Sequence, residues 1–173
     1  TLQGLGHLRV RDFRGERKVS LGQPGDALAL TCDLAHAVVD AQLLVIALPS
    51  TTHEDLAIEL APLLHDGQVV FLPPGTFGSM VFAQAMARVG NRAEVAFAET
   101  GTLPYLARKH GDNQVVISGY ATRLPTGVFP SRLSESAFAV LREAYPSVEP
   151  IEDALSGALM NAGPIIHPPL IMM

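Results

Sequence analysis

Three short stretches of this 173-residue sequence place hydroxyls, glycines and a histidine directly after an apolar run. They are Pro49-Ser50-Thr51-Thr52-His53, Pro74-Gly75-Thr76-Phe77-Gly78-Ser79 and Glu99-Thr100-Gly101-Thr102-Leu103-Pro104-Tyr105. Residues of these types suit a polar or anionic ligand. Glycine lets the backbone approach closely, and the free N–H groups at the start of a following helix favour negative charge. No Lys or Arg lies between residues 19 and 87, so a phosphate held there would depend on backbone donors. Ordinary turn and capping chemistry accounts for any one of these loops alone, and their threefold recurrence points to a site.

His167 stands apart in Asn161-Ala162-Gly163-Pro164-Ile165-Ile166-His167-Pro168-Pro169, an otherwise apolar segment. Imidazole in such surroundings costs desolvation unless it is paired. One reading is a core histidine bonded to a carbonyl. The other is a general acid or base, since the group titrates near neutral pH. His53 has three readings: ligand contact, helix capping or plain exposure. His7, His36, His65 and His110 lie among polar residues and read as solvated.

Several chemistries are missing. Gly4-Leu5-Gly6 is followed by His7, Leu8 and Arg9, so the G-x-G-x-x-G dinucleotide fingerprint is not completed. There is no Walker A lysine, no H-E-x-x-H and no cysteine cluster, and no metal is expected. The 12 Lys and Arg against 17 Asp and Glu, a net charge of -5, set nucleic-acid binding aside. The single Cys32 fits a reducing, cytoplasmic compartment. Apolar runs such as residues 43–48 are far shorter than the ~20 residues of a membrane span, so no membrane partner is expected. The chain starts at Thr1, and residues 165–173 form an apolar tail without a polar stop. Either a piece of a longer protein or one half of a tight homodimer is expected to present such an end.

The elements that must position these loops alternate. Residues 28–32 read as a short strand, and Asp33 as the N-cap of a helix through residue 39. Residues 43–48 read as a parallel strand buried on both faces and ended by Pro49. A helix with a Thr51 or Thr52 cap follows, with Glu54 and Asp55 in its first turn. Residues 68–72 are the next strand, 77–89 a helix closed by Gly90, and 94–98 a further strand. Residues 113–120 form a late strand, 134–144 a helix and 153–161 the start of a last helix. Five of the 12 basic residues, Arg9, Arg11, Arg14, Arg17 and Lys18, fall near the start. They read as a solvated hairpin or as a site for an anion. The alternation predicts an α/β fold with a doubly wound, mostly parallel sheet and a boundary near Pro150.

The stretches 40–53 and 67–79, then E-T-x-T-L-P-Y-x-x-R from Glu99 to Arg108, and finally N-x-x-P-x-x-H-P from Asn161 to Pro168, resemble the opine dehydrogenase family. This is the octopine/nopaline dehydrogenase group of the 6-phosphogluconate-dehydrogenase-like superfamily. The last two stretches are the specific ones. The resemblance implies a Rossmann-like domain whose first strand-helix-strand lies outside this chain, as does the family's helical second domain. Residues 1–160 would be a partial NAD(P)-binding domain, and 161–173 the start of the link onward.

The implied reaction is NAD(P)H-dependent reductive condensation of a 2-oxo acid with the amino group of an amino acid. Pro49, Ser50, Thr51 and His53 would border the cofactor, with Gly75 and Thr76 lining the same cleft. Thr102 would face substrate, His167 would be the general acid/base and Asn161 would shape its surroundings. The family orients its histidine with an aspartate of the second domain, to which no residue here corresponds. Arg108 would bind a substrate carboxylate or pair with Glu99. Gly163 stands where relatives often have Asn, and Ala107 is small and apolar in the part of the pocket that selects the amino acid. The chain by itself is expected to be inactive. A ketopantoate reductase relative and a non-catalytic nucleotide-sensing domain are the alternatives. The former usually relies on a lysine, and the latter has no need of His167.

Overall fold

In the computed structural model, residues 4–21 and 28–163 are described. A five-stranded sheet forms the frame. Its parallel strands β3 (Leu43–Val45), β4 (Val69–Leu72) and β5 (Ala96–Thr100) run side by side. Strand β8 (Leu124–Phe129) joins β5 antiparallel, and β9 (Val148–Pro150) joins β8 parallel.

Strand alternation sends side chains of β4 to opposite faces. Val70 and Leu72 pack with Leu44, Phe82, Met86 and Phe97 beneath α1 (Leu34–Val38), α2 (His53–Leu60) and α3 (Gly78–Arg88). Val69 and Phe71 pack with Leu124, Val128, Phe138 and Leu141 beneath α4 (Ser134–Ala144). A sheet covered on both faces explains why β4 reads as an unbroken apolar run. The doubly wound α/β expectation holds.

Three local expectations need correction. Residues 28–32 are not a strand: Leu28 makes only an isolated bridge to Leu21. Asp33 nevertheless caps α1, accepting from the His36 N–H at 3.1 Å. The run 43–48 is paired only over Leu43–Val45 plus one further bond, from Ile46 N to the Phe71 carbonyl. Among the described residues β3 is an edge strand, and Val45 is 40% exposed rather than covered on both sides.

The hairpin of basic residues is β1 (His7–Asp12) and β2 (Gly15–Ser20), antiparallel. It belongs to a separate four-stranded sheet. Strand β7 (Gln114–Tyr120) lies parallel to β1, and β6 (Tyr105–His110) is antiparallel to β7. The register places Arg9, Arg11, Lys18 and Arg108 on one face. All four are exposed, and the hairpin is extended by two strands from far along the chain.

Asp12 ties this sheet together. Its carboxylate accepts from the Tyr120 hydroxyl, from Arg17 Nη1 at 2.9 Å and from the Arg14 N–H at 2.8 Å. These bonds, Tyr120 first, hold its pKa down to about 2 from 3.8. A carboxyl depressed in the folded state stabilises that state above its unfolded value, and the contribution is lost as pH falls through the folded one. Protection of the β1 and β7 amides from hydrogen exchange, relative to their intrinsic rates, should therefore fall as pH drops from 3.8 towards about 2. Asp12→Asn should abolish this step, and the same step in both proteins would contradict the assignment.

Candidate functional site

The C-terminal ends of β3, β4 and β5 carry the three loops, where ligands of open α/β sheets are bound. After β3, Ser50–Thr52 form one 3-10 turn. Thr52 does not cap α2 with its side chain. Its Oγ1 donates instead to the Pro49 carbonyl at 2.8 Å. Pro49, Ser50 and Thr51 are exposed at the loop surface.

His53 follows none of its three readings as a contact on the open side. It is 2% exposed, its Nε2 lies 3.2 Å from the Leu48 carbonyl, and its ring packs 6.1 Å from that of Phe82. The imidazole braces the loop from beneath. The close approach of Gly78 explains the geometry, because a Cβ there would stand 2.8 Å from His53 Nδ1.

The loop after β4 is shaped by a residue that the sequence reading had placed elsewhere. Glu99 lies within β5, is fully buried, and reaches across to the start of α3. Its Oε2 accepts from the Phe77 N–H at 3.2 Å, and its Oε1 accepts from the Ser79 N–H. The carboxylate thus occupies the electropositive end of α3 that could otherwise hold a phosphate.

Gly75 makes room for it, since a Cβ there would lie 2.4 Å from three atoms of the Glu99 side chain. Burial pushes the Glu99 carboxyl upward, opposed by the hydrogen bonds from Ser79 and Phe77. The pairing of Arg108 with Glu99 is therefore not formed. Arg108 sits exposed on β6 and donates to the Ala107 carbonyl at 3.0 Å. The sequence signal for Glu99 was an acidic residue at the end of an apolar strand, where burial would demand partners.

Helix α5 (Ala154–Leu159) lies across β5 and β8 at very short range. A Cβ on Gly157 would come within 2.5 Å of the Glu99 carbonyl oxygen, and one on Gly101 within 2.5 Å of the Met160 carbonyl carbon. This packing delivers Asn161 to the loop after β4, where its Nδ2 donates to Thr76 Oγ1 at 2.7 Å. Its Oδ1 accepts from the Gly163 N–H at 3.0 Å. Thr76 and Phe77 have positive φ values of 48° and 66°, a conformation non-glycine residues adopt only when their surroundings hold them.

Gly75, Thr76, Glu99, Gly101 and Asn161 are thus brought together, with Thr102 exposed just beyond. Thr100 Oγ1, buried at the same strand end, has no hydrogen-bond partner among the described residues. A hydroxyl so placed is a ready partner for a bound molecule. His167 lies outside the described residues. No group of three or more His, Cys, Asp or Glu suited to a metal occurs among the described residues. Nor is any helix among them long and apolar enough to cross a membrane.

No family model matches the sequence. The opine dehydrogenase of Arthrobacter sp. strain 1C is 25% identical over 139 residues, covering 80% of this chain and 39% of the relative. Octopine dehydrogenase in complex with NADH and L-arginine shares the fold with a TM-score of 0.68 at 20% identity. That match covers 92% of this chain and 40% of the other. Yersinopine dehydrogenase with NADP+ bound gives 0.66 at 17% identity, over 99% of this chain and 42% of the other. The chain spans about two fifths of the length of these proteins. Over four fifths of its length the chain is similar in sequence to an opine dehydrogenase, and it shares the fold of octopine dehydrogenase.

Proposed function

We propose that the whole protein is an NAD(P)H-dependent opine dehydrogenase, joining a 2-oxo acid to the amino group of an amino acid by reductive condensation. One observation carries the proposal. The loop after β4, the opening Glu99-Thr100-Gly101 of the E-T-x-T-L-P-Y-x-x-R stretch, and Asn161 are distant in sequence, yet they converge at one strand edge. His167 follows Asn161 by six residues, a reach of roughly 20 Å at full extension.

The fit to a dinucleotide is selective. The start of α3 is closed to phosphate by Glu99, so residues 75–79 suit the nicotinamide and ribose side of a cofactor rather than its pyrophosphate. Exposed Pro49, Ser50 and Thr51 would border the same group, and Gly75 and Thr76 would line it. The bound cofactor supplies hydride to the carbon of the substrate imine. Buried His53 acts by holding the first loop rather than by touching the cofactor.

The chain's own part is to bind, orient and handle protons. His167 would take a proton from the substrate ammonium, which frees the lone pair that attacks the oxo carbon. As water leaves and the imine is reduced, the same imidazole would hold the proton shared with the substrate nitrogen. Thr102 would orient the oxo acid. Asn161, whose amide is engaged by Thr76 and Gly163, would shape the surroundings of His167. Arg108 would serve a substrate carboxylate only if that group reaches the edge of the four-stranded sheet. Residues 1–160 would form part of the cofactor domain and 161–173 the start of the link to a helical one.

The partners would be small molecules rather than nucleic acid or membrane, in a homodimer. Exposed, unpaired Cys32 favours a cytoplasmic setting. The test is NAD(P)H oxidation by the full-length protein with pyruvate or 2-oxoglutarate and a panel of amino acids. Oxidation that needs both substrates is the expected result, and oxidation with an oxo acid alone would replace this reading by a simple reductase.

A further inference from the structure

Glu99 does not belong to any step of the proposed reaction, yet it is buried more completely than any other carboxylate described. The residues around it look arranged to receive it. Gly75 has no side chain where the carboxylate lies, and Gly78 lets His53 close the other side. The N–H groups of Phe77 and Ser79 point at its two oxygens. Holding the N–H groups of Phe77 and Ser79 keeps Thr76 and Phe77 at positive φ, a geometry with a cost that the loop would relax if released. In this geometry the Thr76 hydroxyl meets the Asn161 amide at 2.7 Å.

We propose that Glu99 is a positioning residue: its carboxylate sets the turn 75–79 and, through the Thr76–Asn161 hydrogen bond, the placement of the segment that begins at Asn161. The consequence for catalysis rests on the opine dehydrogenase reading, because that segment carries His167. The structural relay itself does not. A carboxylate is suited to the task because it is an acceptor at both oxygens, so two N–H groups can be held at once. Glutamine has nearly the same shape but offers one acceptor. Its NH2 group would face one of the two N–H donors, and one end of the turn would come free.

The experiment uses the full-length protein and three variants: Glu99→Gln, Thr76→Ala and the double variant. Thr76→Ala leaves Glu99 untouched and cuts the second link, so the relay remains testable if Glu99→Gln folds poorly. Two quantities are read: hydrogen exchange of residues 160–163 by mass spectrometry, and kcat against KM. Glu99→Gln is expected to speed exchange in both 75–79 and 160–163, by about tenfold where a hydrogen bond to a charged group is lost. Thr76→Ala should speed exchange in 160–163. Both should lower kcat more than they raise KM, and the double variant should be no worse than the worse single one, as for residues acting as a unit.

Faster exchange confined to 75–79 in Glu99→Gln, or effects that simply add in the double variant, would overturn the relay. A wild-type protein without opine activity would overturn the functional reading alone, since the exchange data stand independently of turnover.

Discussion

His167→Ala in the full-length protein is expected to lower kcat by about 10²- to 10⁴-fold, the range for removing a positioned general acid/base. The expectation comes from the chemistry that the proposed reaction needs. An amino acid at neutral pH carries an ammonium group, which has no lone pair until a base removes a proton. An imidazole with a pKa near neutrality suits both that step and the later return of the proton. Dinucleotide affinity should stay within a few-fold of wild type, because the loops proposed to border the cofactor are held by His53, Glu99 and Asn161, which the substitution leaves in place. The measurement is a pair of titrations, steady-state kinetics and fluorescence of bound NAD(P)H. A variant that keeps wild-type kcat would remove His167 from the chemistry and favour a role in binding or sensing.

The largest structural effect is expected at Gly127, in the middle of β8. A Cβ at this position would stand 1.7 Å from the Asp153 carbonyl oxygen and 2.7 Å from the Ala154 N, both backbone atoms at the start of α5. Neither can rotate away as a side chain would, so α5 would have to lift off the sheet. Gly127→Ala should cost about 3 kcal/mol or more, at the upper end of overpacking effects. Gly119→Ala in β7 is the control. Its added Cβ would meet Leu106 at 3.4 Å, an ordinary contact, so stability should change little. Denaturant unfolding of the full-length variants compares the two. Equal stability of both would show that α5 is not seated as described.

The parts of the fold that could be read from the sequence are those in which local pattern and tertiary environment agree. Residues 68–72 are apolar without a break because β4 is covered by helices on both faces. Helix α4 has the bounds 134–144 expected of it, and Asp33 caps α1 as its residue type suggests.

Strand β6 was missed for the opposite reason. Tyr105–His110 is exposed on both faces, so it shows no two-residue period and is fixed only by pairing with β7. Strand β8 contains Pro125 and Gly127, residues that argue against a strand. The glycine is there because α5 needs the space.

At the site, the loops were legible because hydroxyls and glycines after apolar runs are a local signal. The inward turn of His53 and the reach of Glu99 to α3 were not, since each depends on a partner 20 or more positions away or on a missing Cβ. The hydrogen bond of Asn161 to Thr76 spans 85 positions and leaves no trace in local pattern.

The most direct test of the proposed reaction is the mass of its product. The full-length protein would be incubated with NADH or NADPH, pyruvate and the amino acid that best supports oxidation, and the mixture analysed by mass spectrometry. Reductive condensation loses one water and gains two hydrogens, so the product should have the summed mass of the two substrates less one oxygen atom. It should also carry the nitrogen label of an isotopically labelled amino acid. Lactate in place of that product, with the amino acid unchanged, would contradict the account and make the protein a simple oxo-acid reductase.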